Sequence, residues 1–327
     1  MAAWLGVLVG LVALIIGAEL VVRYGARLAR RLGVPPIVVG LTIVSLGTSA
    51  PELAVGIDAV MRGVGSLAVG NIVGTNIVNL LLILGLSALL RPIAFGMQTL
   101  RLDLPAMAAA SILLLILTLT GAASDTGSLS RVDGVALLML AVIYTVALVR
   151  ATRRESVSVQ REFAEEYPST RRGPLATLGQ AGLLLVGIAV IVLGASWLVD
   201  GAVELAEALG VSDAIIALTI VAVGTSAPEL ATTIVSTIRG DRDIAIGNLI
   251  GSSTYNLTAI LGASLLFADQ PLPLDPDLVF VDLPIMTLVA LVCIPVFLTG
   301  RRVTRVEGGF FVAAYVCYLA YLLIART

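Results

Sequence analysis

The sequence predicts an all-α polytopic membrane protein, with about ten transmembrane helices in two inverted five-helix repeats. Three observations lead to this fold class: the composition, the long apolar segments and an internal repeat. Hydrophobic residues make up 58% of the 327 residues, charged residues make up 13%, and the mean hydropathy is +1.05. Soluble domains carry roughly a quarter charged residues. Apolar runs such as 183–199 do not alternate with polar residues, so they predict helices rather than barrel strands.

The apolar segments place the helices in order along the chain. In the first half they predict helices near 3–22, 36–60, 66–90, 103–121 and 133–150. In the second half they predict helices near 179–199, 214–238, 244–266, 279–299 and 308–325. The first segment is not read as a cleaved signal peptide, because its charges follow the apolar run. The domain boundaries are therefore 1–150 for the first repeat, 151–178 for a solvated, mixed-charge linker, and 179–327 for the second repeat.

The internal repeat is the most informative feature of the sequence. Gly17–Ser87 aligns without a gap on Gly194–Ser264, and nearly half of the aligned residues are identical. Both copies contain the sequence Gly-Thr-Ser-Ala-Pro-Glu-Leu-Ala. After a two-residue shift, the Asp-Leu-Pro sequence at Asp103 recurs at Asp282. This similarity indicates a duplication of one membrane unit.

The charged residues predict that the two copies have opposite orientations. The first helix is followed by arginines, whereas the same stretch of the second copy is acidic: Arg23, Arg27, Arg30 and Arg31 against Asp200, Glu204, Glu207 and Asp213. Arginine-rich short loops stay in the cytoplasm, so equivalent ends of the copies face opposite sides. We therefore expect a multi-pass protein of the cell (inner) membrane with both termini extracytoplasmic.

The residues that are missing exclude several kinds of chemistry. The chain has no histidine, and every basic residue is arginine. A Ser–His or Ser–Lys hydrolase, a lysine Schiff base and an ATP-binding loop of the Gly-Lys-Ser/Thr type are therefore excluded. The near-neutral net charge of -2 indicates no nucleic acid partner. We expect no enzyme, no cofactor and no ATP; a paired-carboxylate hydrolase and a passive cation channel are the rival functions.

Two glutamates in apolar helices are the candidate functional residues. Glu52 and Glu229 each lie near the middle of the second helix of their copy, where a charged residue is costly and marks function. The alternative is a pair of glutamates neutralised by arginine or by protons, and no arginine lies at comparable depth in a predicted helix. Pro51 and Pro228 lack an N–H group, so each helix should open just before its glutamate and present carbonyl oxygens.

Hydroxyl and amide side chains accompany both glutamates. Thr48 and Ser49 lie three or four residues before Glu52 and share its helix face, as Thr225 and Ser226 do for Glu229. The following helices add Thr75, Asn79, Ser252 and Asn256 at matching positions. For Asn71 and Asn248, a helix-end or interhelical hydrogen bond and a supporting role in the site both stay open. This oxygen set suits hard cations such as Ca²⁺ and Na⁺, and it disfavours zinc and copper.

These motifs carry a family resemblance. Gly-Thr-Ser-Ala-Pro-Glu occurs twice, followed each time by Gly-Asn-x-x-Gly-[Thr/Ser] and by an asparagine at the same distance. The pattern resembles the α-repeats of the sodium/calcium exchanger branch of the calcium/cation antiporter superfamily. The proton/calcium branch typically has Gly-Asn-x-x-Glu instead. The resemblance implies secondary antiport of Na⁺ for Ca²⁺ by alternating access, with both ions as substrates; a proton-coupled or K⁺-dependent antiporter is the alternative.

The resemblance also implies the ion ligands. Carried over position by position, they are Glu52, Glu229, Thr48, Ser49, Thr225, Ser226, Thr75, Asn79, Ser252 and Asn256, with the backbone carbonyls of Ser45 and Ala222. Two positions depart from the family pattern. Many relatives carry aspartate where Asn256 stands, which leaves the number of bound cations open. Ser253 replaces the asparagine that Asn76 represents in the first copy, and we expect that change to affect packing.

Overall fold

A computed structural model describes residues 3–32, 36–121, 127–154, 174–208 and 222–325. The helices of the first half are α1 Ala3–Leu32, α2 Pro36–Val39, α3 Ser45–Thr48, α4 Ala50–Met61, α5 Gly65–Ile77, α6 Leu84–Leu90, α7 Leu104–Thr120 and α8 Arg131–Arg154. Those of the second half are α9 Pro174–Ala208, α10 Ala222–Thr225, α11 Ala227–Arg239, α12 Arg242–Tyr255, α13 Leu261–Leu265, α14 Leu283–Leu298 and α15 Arg305–Ala325.

Short π-helical segments join several of these helices without a break in the chain direction. They are π1 Gly40–Val44, π2 Val78–Ile83, π3 Thr99–Asp103, π4 Asn256–Ile260 and π5 Leu278–Asp282. Through π2, for example, α5 and α6 become one apolar helix, Gly65–Leu90. The segments π2 and π4 begin at or beside Asn79 and Asn256, and such bulges are frequent at functional sites.

The helices confirm a polytopic membrane protein. Seven of the described helices are long and apolar enough to cross a bilayer. The bent pair Ile37–Thr48 and Ala50–Met61 raises this number to eight if it counts as one span. The number of ten spans stays a prediction, because the start of the expected helix 214–238 and most of the linker lie outside the described residues.

Two helices extend beyond the predicted boundaries. The first was expected to end near residue 22, but α1 continues to Leu32; α9 begins and ends outside the predicted 179–199. The prediction stopped α1 where arginines interrupt the apolar run. However, Ala26, Leu28 and Ala29 are buried between those arginines, so the apolar stripe continues along the helix. Similarly, the predicted linker 151–178 is shorter in the structure, because α8 continues to Arg154 and α9 begins at Pro174.

The helices α1 and α9 form a close antiparallel pair. A Cβ atom added to Gly10 would lie 2.7 Å from the carbonyl oxygen of Gly194, and one added to Gly17 would lie 2.9 Å from that of Gly187. Only glycine permits this backbone approach. In the repeat, Gly17 aligns with Gly194, and extending the alignment pairs Gly10 with Gly187. The contact of Gly10 with Gly194 is therefore the repeat equivalent of the contact of Gly17 with Gly187.

Two short antiparallel ribbons connect the halves of the chain at the ends of the helices. They consist of β1 Ile93–Ala94 paired with β4 Arg302–Val303, and of β2 Ser128–Leu129 paired with β3 Leu272–Pro273. Each ribbon takes one strand from each half. The sequence did not predict these strands, because two-residue strands carry no detectable periodicity.

A matched pair of hydrogen bonds shows that the duplication continues past Ser87. The Tyr144 hydroxyl donates to Asp103 over 3.0 Å, and the Tyr318 hydroxyl donates to Asp282 over 3.0 Å. Each bond joins the start of the fourth helical unit of its half to the fifth. The Asp-Leu-Pro similarity in the sequence is therefore the visible part of a longer structural repeat.

Candidate cation site

Both glutamates follow a break in their helix, as the prolines predicted. The break between α3 and α4 falls at Ser49, with φ −82° and ψ 11°, and the break between α10 and α11 falls at Ser226, with φ −86° and ψ 5°. The axis bends by 46° at the first break. Glu52 and Glu229 lie in the first turn of the helix that follows, where free N–H groups favour a carboxylate. Both side chains are fully buried.

The Glu229 carboxylate is held by side chains from both copies. The Ser49 hydroxyl donates to Oε1 over 3.1 Å, and the Ser252 hydroxyl donates to the same oxygen over 3.5 Å. The Thr48 hydroxyl lies beside this carboxylate as well. Because Ser49 comes from the first copy, the two repeated motifs meet in one site.

Asn248 joins the residues on the Glu229 side. Its Oδ1 accepts a hydrogen bond from the Thr48 hydroxyl over 3.2 Å. Its Nδ2 donates to the Thr233 hydroxyl over 3.1 Å and to the Glu229 carbonyl over 3.4 Å. Asn248 therefore makes interhelical hydrogen bonds, which was one of the two roles that the sequence allowed, and these bonds place it beside the Glu229 backbone.

The Glu52 side of the site has buried polar atoms without hydrogen-bond partners among the described residues. These atoms are both carboxylate oxygens of Glu52, Oε2 of Glu229, the Ser226 hydroxyl, and the amide oxygen and nitrogen of Asn79 and Asn256. Thr75 lies beside Glu52 without a hydrogen bond of normal geometry. A buried carboxylate without compensation costs several kcal/mol, roughly, so it requires a proton or a cation. Oxygens of this kind are what Na⁺ and Ca²⁺ bind.

Asn79 and Asn256 each lie in a segment that packs against the other copy. The segment π2, which contains Asn79, packs against α11 and thus beside Glu229's helix. The segment π4, which begins at Asn256, packs against α4, the helix of Glu52. Both asparagines are fully buried. Each asparagine therefore belongs to a segment that packs against the glutamate helix of the other copy.

Three predicted ligands remain: the backbone carbonyls of Ser45 and Ala222 and the hydroxyl of Thr225. The carbonyl of Ser45 already accepts the Ser49 N–H over 3.0 Å and the Thr48 hydroxyl over 3.2 Å. Ala222 begins α10, and only its backbone is described. Thr225 lies in the wall of a cavity beside the buried cluster.

That cavity has a volume of about 520 Å³, and its wall contains both polar and apolar residues. It includes the exposed Asp275 and Asp277 together with the candidate ligands Thr75 and Thr225. Gly70, Asn71 and Gly74 also line it. Two candidate ligands therefore lie in the wall of one cavity.

The equivalent surface of the second copy is covered. A Cβ atom added to Gly247 would lie 2.9 Å from the Leu41 nitrogen, and one added to Gly251 would lie 2.7 Å from the Leu41 Cα. In contrast, a Cβ atom at Gly74 would meet no described atom within 4 Å, and one at Gly70 would meet only Leu278 at 3.9 Å. Among the described residues, the Gly-Asn-x-x-Gly sequence of the second copy faces the backbone of α2 and π1, and that of the first copy lies in the cavity wall. The counterparts of residues 36–44, which are residues 213–221, lie outside the described residues.

Sequence reasoning missed a row of buried hydroxyls on α11. Thr232, Thr233 and Ser236 are fully buried, and Thr233 accepts the hydrogen bond from Asn248. Two of them follow Glu229 by three and four residues and share its helix face, which is the signal that could have found them. The repeat concealed this signal, because the first copy has Val55 and Gly56 at these positions.

Comparisons with known proteins were consistent with this geometry. A family profile described as "Sodium/calcium exchanger protein" matches residues 2–150 and 179–324. Inner membrane protein YrbG of Escherichia coli is 38% identical over 291 residues, which cover 87% of this chain and 85% of that protein. Sodium/calcium exchanger MaX1 of Methanosarcina acetivorans is 31% identical over 340 residues, covering 96% and 97%. A solved structure of the sodium-calcium exchanger NCX_Mj, soaked with Na⁺, aligns with a TM-score of 0.82 at 28% identity and covers 98% of this chain and 99% of its own.

Proposed function

The chain belongs to the sodium/calcium exchanger family, and on this premise we propose that it exchanges Na⁺ for Ca²⁺ across the membrane by alternating access. The observation that carries the proposal is the Glu52 carboxylate, which is buried with no hydrogen-bond partner among the described residues and lies in one cluster with Glu229. A cation supplies the compensation that this carboxylate lacks.

The charge of the site explains exchange rather than co-transport. Two carboxylates balance one Ca²⁺ or two Na⁺, while any further Na⁺ rests on neutral oxygens. The two ions therefore compete for overlapping ligands. We assign direct binding to Glu52, Glu229, Asn79, Asn256 and Ser226, whose oxygens are the least engaged. Thr48, Ser49, Thr75, Thr225, Ser252 and the carbonyls of Ser45 and Ala222 complete the proposed set.

The same charge couples the two ion movements. A site without ions leaves two bare carboxylates in a low-dielectric interior, and this state is costly. The protein therefore changes its orientation when the site is neutralised by Na⁺ or by Ca²⁺, but not when it is empty. Return without cargo is blocked, so the downhill movement of one ion drives the other.

Two inverted repeats supply the two orientations. The antiparallel contact of α1 with α9, repeated at Gly10 and at Gly17, supports an inverted relation between the copies. Broken helices that meet between inverted repeats are the general arrangement of secondary transporters. The proposed units are residues 1–150 and 179–327, joined by a cytoplasmic linker at 151–178. The chain lies in the cell membrane with both termini outside, so the cavity beside Gly74 opens outward.

The test is calcium uptake by purified protein in sealed proteoliposomes. Gradients of Na⁺, K⁺ and H⁺ are imposed singly, with membrane potential clamped. We expect an outward Na⁺ gradient to drive Ca²⁺ uptake, whereas K⁺ and H⁺ gradients do not. Asp269→Asn, which changes an exposed carboxylate outside the site, is the matched control and should behave like the parent. Uptake driven by H⁺ or K⁺ alone would overturn Na⁺ coupling and support the alternative antiporter.

A further inference from the structure

An ion pair joins the first helix to the second copy of the motif. Arg239, at the end of α11, donates from Nη2 to Oε1 of Glu19 on α1. The two side chains are 42% and 32% exposed, so water reaches both partners. Along this stretch α1 packs closely on α11, whereas α9 makes little contact with α4, the equivalent helix of the first copy. The ion pair therefore lies in a contact that only one copy forms.

The repeat shows which residues stand at the equivalent positions. Arg239 aligns with Arg62, and Glu19 aligns with Ser196. Arg62 pairs with Asp58, four residues earlier on its own helix, over 2.9 Å. Arg239 has Val235 at the position that corresponds to Asp58. One arginine is thus paired within a helix, and the other is paired between helices.

This difference matters when the orientation changes. In the alternating access proposed above, one repeat moves against the other, and we take the opposite state to be the one in which the two copies have exchanged their arrangements. A contact between Glu19 and Arg239 is then replaced by one between Ser196 and Arg62. Serine carries no charge, so no ion pair forms between helices there. The pairing of Arg62 with Asp58 stays within α4 and is the same in both states.

We infer that Glu19 and Arg239 are positioning residues that hold α1 against α11 and so favour the described state, in which α1 packs on α11 and α9 makes little contact with α4. The inference rests on the alternating access proposed above. Neither residue touches the ion. A partly exposed ion pair shifts an equilibrium by about two- to fivefold. Loss of the pair therefore raises the population of the opposite state by that factor.

Thr99 provides a reporter for the opposite state. It is fully buried here, and its equivalent in the second copy, Leu278, lines the cavity with 5% of its surface exposed. A cysteine at Thr99 should react with a hydrophilic thiol reagent only when the opposite side opens, so its rate measures the minor population. The background is Cys293→Ala/Cys317→Ala, and purified protein in nanodiscs gives the reagent access to both sides.

The experiment compares four proteins that all carry Thr99→Cys. Glu19→Gln is expected to raise the labelling rate about two- to fivefold over the parent. Glu19→Gln/Ser196→Glu should raise it further, because Arg62 then gains a partner between helices in the opposite state. Asp58→Asn, which removes an ion pair within one helix, should leave the rate unchanged. Arg239→Gln replaces Glu19→Gln if the latter does not fold, and the same rise is expected.

Two outcomes would overturn the inference. One is equal labelling of the parent and Glu19→Gln, while Na⁺ or Ca²⁺ changes the rate in both; alternating access then holds and the ion pair does not bias it. The other is an equal rise in Asp58→Asn, which would indicate a general loosening of the helices. Labelling that responds neither to ions nor to any substitution would instead contradict the alternating access of the proposed function.

Discussion

Two surfaces of the molecule have the same sequence and different surroundings. Gly247 and Gly251 lie under the backbone of Leu41, whereas Gly70 and Gly74 face a cavity. The motif Gly-Asn-x-x-Gly is shared, so local sequence does not decide which surface is covered. A second difference between the copies lies in their neighbouring helices, because α1 packs on α11 whereas α9 makes little contact with α4. It teaches that equivalent parts of two similar copies can have different neighbours in one structure.

The two glutamates also differ in the hydrogen bonds that their side chains accept. Glu229, beside the covered surface, accepts hydrogen bonds from Ser49 and Ser252, while the Glu52 oxygens have no partner among the described residues. The covered side therefore has a formed hydrogen-bond network, and the other side has ligands without partners. If the two arrangements interchange, the hydrogen bonds of one glutamate should pass to the other.

The largest effect is expected from removing either carboxylate. Glu52→Gln and Glu229→Gln should each reduce Na⁺-driven Ca²⁺ uptake at least about a hundredfold, because an uncompensated charge in a buried site costs about 3 kcal/mol or more. Both proteins should still insert and fold, as judged by size-exclusion chromatography. Equal loss in both would show that the glutamates form one site despite their different partners. Uptake at the parent rate in either purified variant would contradict the assignment.

Alanine at the matched glycines separates the two surfaces. Gly251→Ala places a Cβ atom 2.7 Å from the Leu41 Cα, so it should destabilise the described state by about 1–3 kcal/mol. Gly74→Ala meets no described atom within 4 Å and should destabilise only the opposite state. Both variants should exchange ions about tenfold more slowly.

The labelling rate of a cysteine at Thr99 distinguishes the two alanine variants. This rate should rise in Gly251→Ala and fall in Gly74→Ala. A change of the same sign in both variants would show that the two surfaces do not exchange roles. Gly63→Ala is not a suitable control, because Gly63 has a positive φ of 75°. Gly179→Ala is suitable, since a Cβ atom there meets no described atom within 4 Å.

The smallest effect is expected at Asn256. An aspartate there adds a third carboxylate to the cluster, for which protons compete as they do for the two glutamates. Asn256→Asp should keep transport while its inhibition by acid begins at higher pH. The measurement is Na⁺-driven Ca²⁺ uptake from about pH 5.5 to about pH 8.5, a range chosen to include carboxylates in buried sites. Identical pH profiles of parent and variant would mean that position 256 does not face the ions.

Much of this architecture was readable from the sequence because the duplication is strong. The repeat located both glutamates, and the prolines at 51 and 228 predicted the helix breaks that the structure has at Ser49 and Ser226. Local chemistry is enough for such features, because a missing N–H group acts within one turn of helix. The helical membrane fold followed from composition alone.

The asymmetry between the copies was not readable. Thr48 and Thr225 stand in identical sequences, yet the first is fully buried and the second is partly exposed in the cavity wall. The choice depends on how α1 and α9 lie across the other helices, which is a property of tertiary packing. The length of α1 was missed for a related reason, since burial of Ala26 and Ala29 between arginines becomes visible only when the partner helix is present.

The central claim is that Na⁺ and Ca²⁺ share one buried site formed by Glu52 and Glu229. The most direct test is equilibrium binding of radioactive Ca²⁺ to the purified protein at increasing Na⁺, with choline replacing Na⁺ at constant ionic strength. The account predicts that Na⁺ displaces the bound Ca²⁺ completely, that choline does not, and that Glu52→Gln and Glu229→Gln each abolish binding. Ca²⁺ that stays bound at saturating Na⁺, or that binds either variant with the affinity of the parent, would contradict it.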